Sequence, residues 1–306
     1  MVQQKNKWGY VLKVIIGLTI LSFFISLFIG NDFKSLDGNV ALIEITGVIV
    51  AEKNSDFLFA DVTYPDEVRK LIKKADENDN IKAIVFKINS PGGSAVASEE
   101  IADEIKKINK TTVAWIREAG ASGAYWIASS TDHIIANRMS ITGSIGVIAS
   151  YLGFSGFLAE HNVTYERLVA GELKDIGSPL KDMTAKEKAL FEKSLTQIHD
   201  YFIEEVAKNR NLKEKDVKKV ATGLFYLGAE AKKLGLVDEL GSRDEVIDYI
   251  ETQIGEEVNI VEYKKEKGFL GSLSGVMNEN SFFIGRGIGS SLFTKARLAD
   301  SVSIST

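Results

Sequence analysis

The sequence predicts an α/β protein built on a largely parallel β-sheet that is wrapped by helices. Between residues 39 and 263, short β-rich apolar runs alternate with segments whose apolar residues recur every three to four positions. Glycine-containing turns follow two consecutive apolar runs. Strands that alternate with helices indicate parallel pairing, because a helical crossover returns the chain to the same end of the sheet.

Each element follows from its own pattern. Residues Tyr64–Asn78 are predicted to be helical, because Pro65 occupies the first turn and apolar residues fall on one face. Helices are also predicted at Ala95–Ile108 and Thr184–Lys208, and a short one is predicted after Ser122. The β-rich runs predict strands at Val40–Ile49, Ile81–Ile88, Thr112–Ile116 and His133–Ala136.

The chain opens with a pattern typical of a membrane signal anchor. Lys5, Lys7 and Lys13 precede the uncharged apolar run Val14–Gly30, and the first acidic residue, Asp32, follows it. With the apolar residues before it, the run reaches the roughly 20 residues that a spanning helix needs. The charge bias predicts a single pass with residues 1–13 in the cytoplasm and the remainder outside. A cleaved signal peptide is the alternative, but no clear small-x-small site follows the run.

The composition divides the chain into three parts. Residues 1–32 form the cytoplasmic stub and predicted anchor, residues 39–263 are long enough for one domain with a substantial core, and residues 264–306 are a Gly/Ser-rich tail. We expect the tail to be flexible or, alternatively, to lie in the peptide groove of the domain and restrain it.

Several classes of function are disfavoured by composition. The chain has no cysteine, so disulfides, thiolate metal sites and a cysteine nucleophile are excluded. The net charge of −5 argues against nucleic acid as a partner. The three histidines, His133, His161 and His199, are scattered, which makes a His-rich metal site unfavourable. We expect neither a metal nor another cofactor.

The run of small residues Ala119–Trp126 has the character of a nucleophile turn. It places Ser122 directly after an apolar strand and before a helix, where small neighbours leave the hydroxyl accessible and let a substrate backbone come close. The alternative is a tight turn in which Ser122 only caps the helix. The presence of a second glycine turn favours the nucleophile.

That second turn is Asn89–Ser94, which follows the preceding predicted strand. Gly92 and Gly93 can point their backbone N–H groups outward, and such donors stabilise the oxyanion that forms in acyl transfer. A purely structural or anion-binding turn is the alternative; no Gly-Lys-Ser/Thr follows, so it is not a phosphate-binding loop. The two turns together predict one site at the carboxyl ends of neighbouring strands.

A serine nucleophile needs a base. His133 begins a strand, His161 lies near a helix end and His199 lies inside the long helix, so each is more typical of a surface or boundary residue. A lysine can serve when its pKa is lowered from about 10.4 by burial or positive neighbours. Spacing alone does not choose among the nearby lysines, which are Lys174, Lys181, Lys186 and Lys188.

Five motifs, in chain order, resemble those of the signal peptide peptidase A family of Ser/Lys membrane proteases, peptidase family S49. The resemblance spans about residues 39–262, and the chain resembles the short form with a single repeat. Ala124 departs from the family pattern, which often has glycine there, and we expect only a packing adjustment. The motifs are Phe86–Ser94, Ala121–Trp126, Ile141–Val147, Gly171–Pro179 and Gly235–Gly241.

The resemblance implies roles for particular residues. It implies Ser122 as nucleophile, Lys174 as general base, Ser144 as a residue that orients the lysine amine, and the backbone N–H groups of Gly93 and Gly123 as oxyanion donors. It also implies a crotonase/caseinolytic-protease-like fold of repeated ββα units. In addition, it implies a homo-oligomer in which the lysine reaches the serine of a neighbouring subunit.

The function implied is a membrane-anchored serine endopeptidase on the extracytoplasmic side of the cell membrane. Its expected substrates are hydrophobic peptides, above all remnant signal peptides, bound in extended form. The alternatives are a catalytically silent membrane scaffold, an acyl-CoA hydratase or isomerase of the same fold, and a His-based peptidase. No histidine lies between His133 and His161, where such a peptidase would place its catalytic one.

Overall fold

The protein is a mixed α/β fold, and the computed structural model describes residues 7–29, 38–52 and 61–264. Within these ranges the helices are α1 Lys7–Ile29, α2 Pro65–Asp76, α3 Ala95–Ile105, α4 Gly123–Ser129, α5 Ser155–Glu160, α6 Ala185–Asn209, α7 Glu214–Val220, α8 Gly228–Lys233 and α9 Arg243–Ile254. The strands are β1 Val40–Ile49, β2 Val62–Thr63, β3 Ala83–Gly93, β4 Thr111–Ala121, β5 His133–Ala136, β6 Ile141–Gly143, β7 Phe225–Leu227, β8 Glu239–Leu240 and β9 Ile260–Tyr263.

The strands form one sheet whose main path runs β2-β1-β3-β4-β5-β8. Every pair along this path is parallel, and β9 joins β1 and β6 joins β4 in the same sense. Among the described strands only β7 pairs antiparallel, against β6. The predicted mixed α/β class with a parallel sheet is confirmed, whereas the repeated ββα units of the crotonase type stay a prediction.

The central strands are buried on both faces, as parallel strands between helices are expected to be. Along β3, Ile84 and Phe86 enter one apolar cluster with residues of α2, α3 and α4. Their neighbours Ala83 and Val85 enter a second cluster with α9. The strands that lead to the two glycine turns are therefore held from both sides.

Strands β3 and β4 continue further than their residue types predict. Residues Asn89–Gly93, predicted to be a turn, form the end of β3, and β4 extends past Ile116 to Ala121. The prediction of a turn there was wrong, because partners from elsewhere in the chain hold the backbone extended. Gly93 pairs with Ile49 of β1, and Ala121 pairs with a residue of β6.

The apolar N-terminal run forms α1, but the predicted membrane anchor finds no support in the structure. Among residues 7–29, 38–52 and 61–264, no helix combines the length and apolar character that crossing a bilayer requires. The compact unit that carries the sheet ends at Tyr263. The predicted tail, apart from Lys264, lies outside the described residues, and the three-part division of the chain stays a prediction.

Candidate active site

Ser122 lies at the junction of β4 and α4 in a strained conformation. Its φ angle is +53°, in a region that non-glycine residues rarely adopt. The N–H of Ser122 donates to the Gly143 carbonyl at 2.8 Å, which holds the turn against the end of β6. Strain of this kind is stored at functional sites and needs the surrounding structure to maintain it. The side chain is half-buried and therefore accessible.

The end of β3 packs against this turn, backbone against backbone. A Cβ atom added to Gly92 would lie 2.9 Å from Cβ of Ser122 and 2.7 Å from the Ala121 carbonyl oxygen. A Cβ atom added to Gly123 would collide with Oγ of Ser98. A side chain at Gly92 would force the end of β3 away from the Ser122 turn, and a side chain at Gly123 would force this turn away from α3, so the sequence needs glycine at both positions.

The N–H of Gly93 points toward the nucleophile turn. The N–H of Ser94 donates to the Ile49 carbonyl of β1 at 2.8 Å. Because successive N–H groups of a strand point to opposite sides, that of Gly93 faces away from β1. Its nitrogen lies 3.4 Å from the place that a Cβ of Gly123 would take. Gly123 is the first residue of α4, where the N–H has no partner within the helix.

Ser144 lies beside Ser122 and is strained as well. Its φ angle is +50°, and its neighbour Gly143 accepts the hydrogen bond from the Ser122 N–H. Its own N–H donates to the Leu224 carbonyl at 3.0 Å, and its hydroxyl donates to the Gly223 carbonyl at 3.3 Å. The structure therefore brings Ser122, Ser144 and the two glycine turns together.

A cavity of about 830 Å³ opens at Ser122. Its wall contains Ser122, Ser144 and the end of β3, together with Trp126 of α4 and apolar and polar side chains of α6. There the rings of Trp126 and Phe202 stack with centroids 4.7 Å apart. This volume is in the range of ligand-binding sites, and the apolar wall suits an aliphatic or aromatic side chain of a peptide.

Lys174 does not line this cavity in its own chain. It lies on an exposed segment, where its N–H donates to the Gly171 carbonyl at 3.1 Å. Its ammonium makes no hydrogen bond or ion pair with any described residue. Within one subunit, the predicted lysine is therefore not part of the cavity wall that contains Ser122.

The three neighbouring lysines differ from Lys174 in their partners. A general base has to be neutral, whereas an adjacent carboxylate favours the charged amine. Of the four candidate lysines, all on described residues, only Lys174 has no carboxylate partner. The ion pairs are Lys181–Glu187 at 2.5 Å, Lys186–Glu172 at 2.9 Å and Lys188–Glu192 at 3.8 Å.

One histidine lines the cavity, which the sequence reasoning missed. His199 projects from α6 one turn before Phe202, and its Nε2 atom is buried without a hydrogen-bond partner among the described residues. The i, i+3 spacing of His199 and Phe202 is the signal that places both on one helix face. The other two histidines do not line the cavity: His133 stacks on a tyrosine, and His161 is exposed.

Comparison with known proteins agrees with this geometry. The model of peptidase family S49 matches residues 104–257, which include Ser122, Ser144 and Lys174. A protein of Methanocaldococcus jannaschii that is named as a protease is 34% identical over 227 residues, which cover 73% of this chain and 72% of that protein. The chain belongs to peptidase family S49.

Other relatives of this S49 peptidase carry similar names. A protein of Enterococcus faecium that is named as a signal peptide peptidase is 32% identical, over 77% of this chain and 70% of its own length. Protease 4 of Haemophilus influenzae is 30% identical, over 74% of this chain and 36% of its own length. A solved structure of a mutant of 1510-N, a membrane-bound stomatin-specific protease, aligns with 75% of this chain and 99% of its own at a TM-score of 0.46 and 16% identity.

In this S49 peptidase, the last sequence motif anchors the helix that follows Ser122. The Tyr125 hydroxyl donates to the Leu236 carbonyl at 2.9 Å, and burial raises the pKa of this phenol. Arg210 donates to Asp238 at 2.9 Å and to the Gly235 carbonyl at 3.3 Å. Burial raises the pKa of Asp238, but the hydrogen bonds from Arg210 outweigh this and hold the pKa below its ordinary range. These contacts fix α4 and the turn before it.

A second network fixes the end of the segment that carries Lys174. Glu187 is buried at the start of α6, where it accepts hydrogen bonds from the Lys181 ammonium and from the N–H and hydroxyl of Thr184. The hydrogen bond from Lys181, followed by those from Thr184, lowers the pKa of Glu187 to about 2. The capping box at Thr184 begins the helix, so the segment is tied down on this side.

Proposed function

We propose that this S49 peptidase is a serine endopeptidase with a Ser122/Lys174 dyad. The observation that carries the proposal is the strained Ser122 in the wall of a cavity that also has apolar side chains, close to the N–H groups of Gly93 and Gly123. In this mechanism the neutral Lys174 amine takes the proton of the Ser122 hydroxyl as Oγ attacks the scissile carbonyl. The two N–H groups stabilise the resulting oxyanion.

The same groups complete the reaction. The Lys174 ammonium returns its proton to the leaving amine, and an acyl-enzyme forms on Ser122. The neutral amine then activates a water molecule, which hydrolyses the ester and releases the second peptide. Ser144, whose hydroxyl lies at the same cavity, is proposed to accept a hydrogen bond from the lysine amine and to orient it.

Lys174 is proposed to reach Ser122 from a neighbouring subunit of a homo-oligomer. Supporting this is the absence of Lys174 from the wall of its own cavity, together with its exposed, unpaired ammonium. Large apolar side chains are also exposed in the chain segment between Ser122 and Lys174. Among them, Ile148 is 90% exposed and Leu168 is 92% exposed. Exposed apolar surface of this kind is typical of a protein interface.

The proposed substrates are hydrophobic peptides such as remnant signal peptides. The apolar wall built by Trp126 and Phe202 supports an aliphatic or aromatic residue near the scissile bond. We further propose a membrane location with the peptidase domain on the extracytoplasmic side, which rests on the charge pattern around the N-terminal apolar run. If a protease added outside the intact cytoplasmic membrane did not digest the domain, the proposed extracytoplasmic location would be contradicted.

The test is hydrolysis of a fluorogenic apolar peptide by the full chain in detergent. Ser122→Ala and Lys174→Ala are each expected to abolish activity while keeping the thermal unfolding temperature. An equimolar mixture of the two variants, unfolded and refolded together, should recover about a quarter of wild-type activity if each site takes its serine and lysine from different subunits at random.

Each alternative function has its own result in this assay. An active Lys174→Ala variant would move the base to another residue, and a mixture without recovery would place both residues in one subunit. A wild type without activity and without labelling by a serine-directed phosphonate would favour the silent scaffold. Membership of the S49 family favours a peptidase over an acyl-CoA hydratase or isomerase.

A further inference from the structure

Ser90 connects β1 to the glycine turn through one buried hydroxyl. Its side chain is fully buried, and Oγ donates to the Gly47 carbonyl at 2.6 Å. The same Oγ accepts the N–H of Gly92 at 3.1 Å. Both hydrogen bonds are within the range of good geometry, so the hydroxyl uses its donor and one acceptor position.

This hydroxyl lies where the pairing of β1 with β3 is interrupted. The register between the two strands shifts between Thr46 and Val48, and Gly47 has a φ angle of +67°. At this irregularity, the Gly47 carbonyl belongs to β1 and the Gly92 N–H belongs to β3. The Ser90 hydroxyl forms a hydrogen bond with each of them and so bridges the two strands. Without the bridge, the buried Gly92 N–H and the half-buried Gly47 carbonyl would lose these hydrogen bonds.

The bridge acts on the direction of the next N–H group. The N–H of Gly92 is held on the β1 side by Ser90, and the N–H of Ser94 is held there by Ile49. The N–H of Gly93, between them, therefore points to the side of Ser122. Two glycines follow each other here, so few steric limits restrict their peptide planes and hydrogen bonds have to do so.

We propose that Ser90 is a positioning residue of the oxyanion site: its hydroxyl holds the Gly92 peptide so that the Gly93 N–H points at the oxyanion. This inference rests on the proposed function and deepens it. Ser90 does not line the cavity and touches no substrate. Its effect is on the transition state, where the Gly93 N–H is used, and not on substrate binding.

The experiment compares Ser90→Ala with wild type in the full chain in detergent. For hydrolysis of the fluorogenic apolar peptide, kcat is expected to fall about 10- to 100-fold, with KM changed less than about threefold. Two inhibitors with the same peptide sequence then separate use of the oxyanion site from peptide binding. A peptide aldehyde adds to Oγ of Ser122 as a hemiacetal whose oxygen occupies the oxyanion site, whereas the corresponding peptide alcohol binds without this bond. The affinity for the aldehyde should fall as kcat does, and that for the alcohol should stay unchanged.

Two further variants separate positioning from stability. Thr131→Ala removes another buried hydroxyl, which bonds to the Ala128 and His133 carbonyls at the far end of α4. It should lower the unfolding temperature without changing kcat. Ser90→Cys keeps a weaker donor and acceptor at the position, and its kcat and aldehyde affinity should fall between those of Ser90→Ala and wild type. If Ser90→Ala does not fold, Ser90→Cys alone provides the comparison.

The inference is overturned if the Ser90 variants keep wild-type kcat and aldehyde affinity, or if they lose affinity for the aldehyde and the alcohol equally. Its failure differs from failure of the proposed function. If wild type and Ser122→Ala are equally active, the function fails and the inference fails with it. If Ser122→Ala alone is inactive and the Ser90 variants behave as wild type, only the inference fails.

Discussion

The two halves of the proposed site are built in opposite ways. The Ser122 half lies at the partly buried ends of strands, which strand pairing and close glycine contacts hold in place. The Lys174 half lies on an exposed segment without regular strand or helix, and its ammonium has no partner among the described residues. In the proposed mechanism, one subunit preorganises the nucleophile and the oxyanion donors, whereas the proposed base takes its environment from a neighbouring subunit. Variants in each half can test this difference.

Among variants outside the proposed dyad, we expect the largest effect from Gly123→Ala, which changes the half of the site around Ser122. Its new Cβ would meet Oγ of the buried Ser98, so either the nucleophile turn or α3 has to move. We expect kcat to fall about 10²–10³-fold, as when one oxyanion donor is lost. Steady-state kinetics with the fluorogenic peptide measure this.

A matched control and a rescue sharpen this result. Gly17→Ala in α1 makes the same substitution where nothing lies within 4 Å, and it should leave kcat unchanged. Adding Ser98→Ala to Gly123→Ala removes the clashing oxygen and leaves the Ser98 Cβ at 3.2 Å, so part of the activity should return. A Gly123→Ala variant with wild-type kcat would show that the half around Ser122 is more tolerant than its contacts indicate.

A smaller effect is expected from Glu187→Gln, which acts on the half that carries Lys174. Loss of the carboxylate weakens the hydrogen bonds from Lys181 and Thr184 at the end of that segment. Amide hydrogen exchange should become faster in residues 171–184, while the strand ends near Ser122 stay protected. Glu192→Gln, an exposed position in the same helix, should change neither region. Equal loss of protection in both regions would contradict their independence.

The same carboxylate predicts a dependence on pH. The folded pKa of Glu187, about 2, lies below its ordinary value of 4.5. The stability that the carboxylate contributes is therefore fully present above pH 4.5 and is lost as the pH falls toward 2. As the pH falls through that window, the protection factors of residues 171–184, which correct for the intrinsic pH dependence of amide exchange, should decrease in wild type and should change less in Glu187→Gln.

The smallest effect is expected from His199→Gln. His199 lines the cavity, but the proposed base is Lys174, so kcat should fall less than about 10-fold, whereas loss of a general base costs about 10²–10⁴-fold. The pH profile of kcat/KM should keep its shape. If kcat fell about 10²–10⁴-fold in His199→Gln while Lys174→Ala stayed active, the base would be His199 of the same subunit. The proposed difference between the two halves of the site would then be wrong.

Much of the fold could be predicted from local patterns. Strands β1 and β5 have the bounds that the sequence predicts, and α6 differs from its prediction by one residue at each end. These segments have strong periodicity and clear flanking residues, so local preference and tertiary structure agree. The turn that carries Ser122 could be placed for the same reason, because small residues follow a recognisable strand.

The remaining features depend on contacts that are distant in sequence. Glycine and proline at the end of β3 indicate a turn, yet pairing with β1 and β4 keeps the backbone extended. Strands β6 and β7, of three residues each, have too little periodicity to be predicted and exist because they pair. The i, i+3 spacing places His199 on the same helix face as Phe202, but only the packing of α6 on α4 shows that this face lines the cavity.

Residue size and local periodicity were enough to predict the α/β class, the turn that exposes Ser122 and the glycines that let two backbones meet. Only the tertiary structure decided that the glycine turn is a strand end, that Ser90 bridges a break in the ladder, and that three lysines are paired while Lys174 is not. The reason is physical: register, hydrogen-bond partners and ion pairs are set by residues far apart in the chain, and they come together only when the sheet forms.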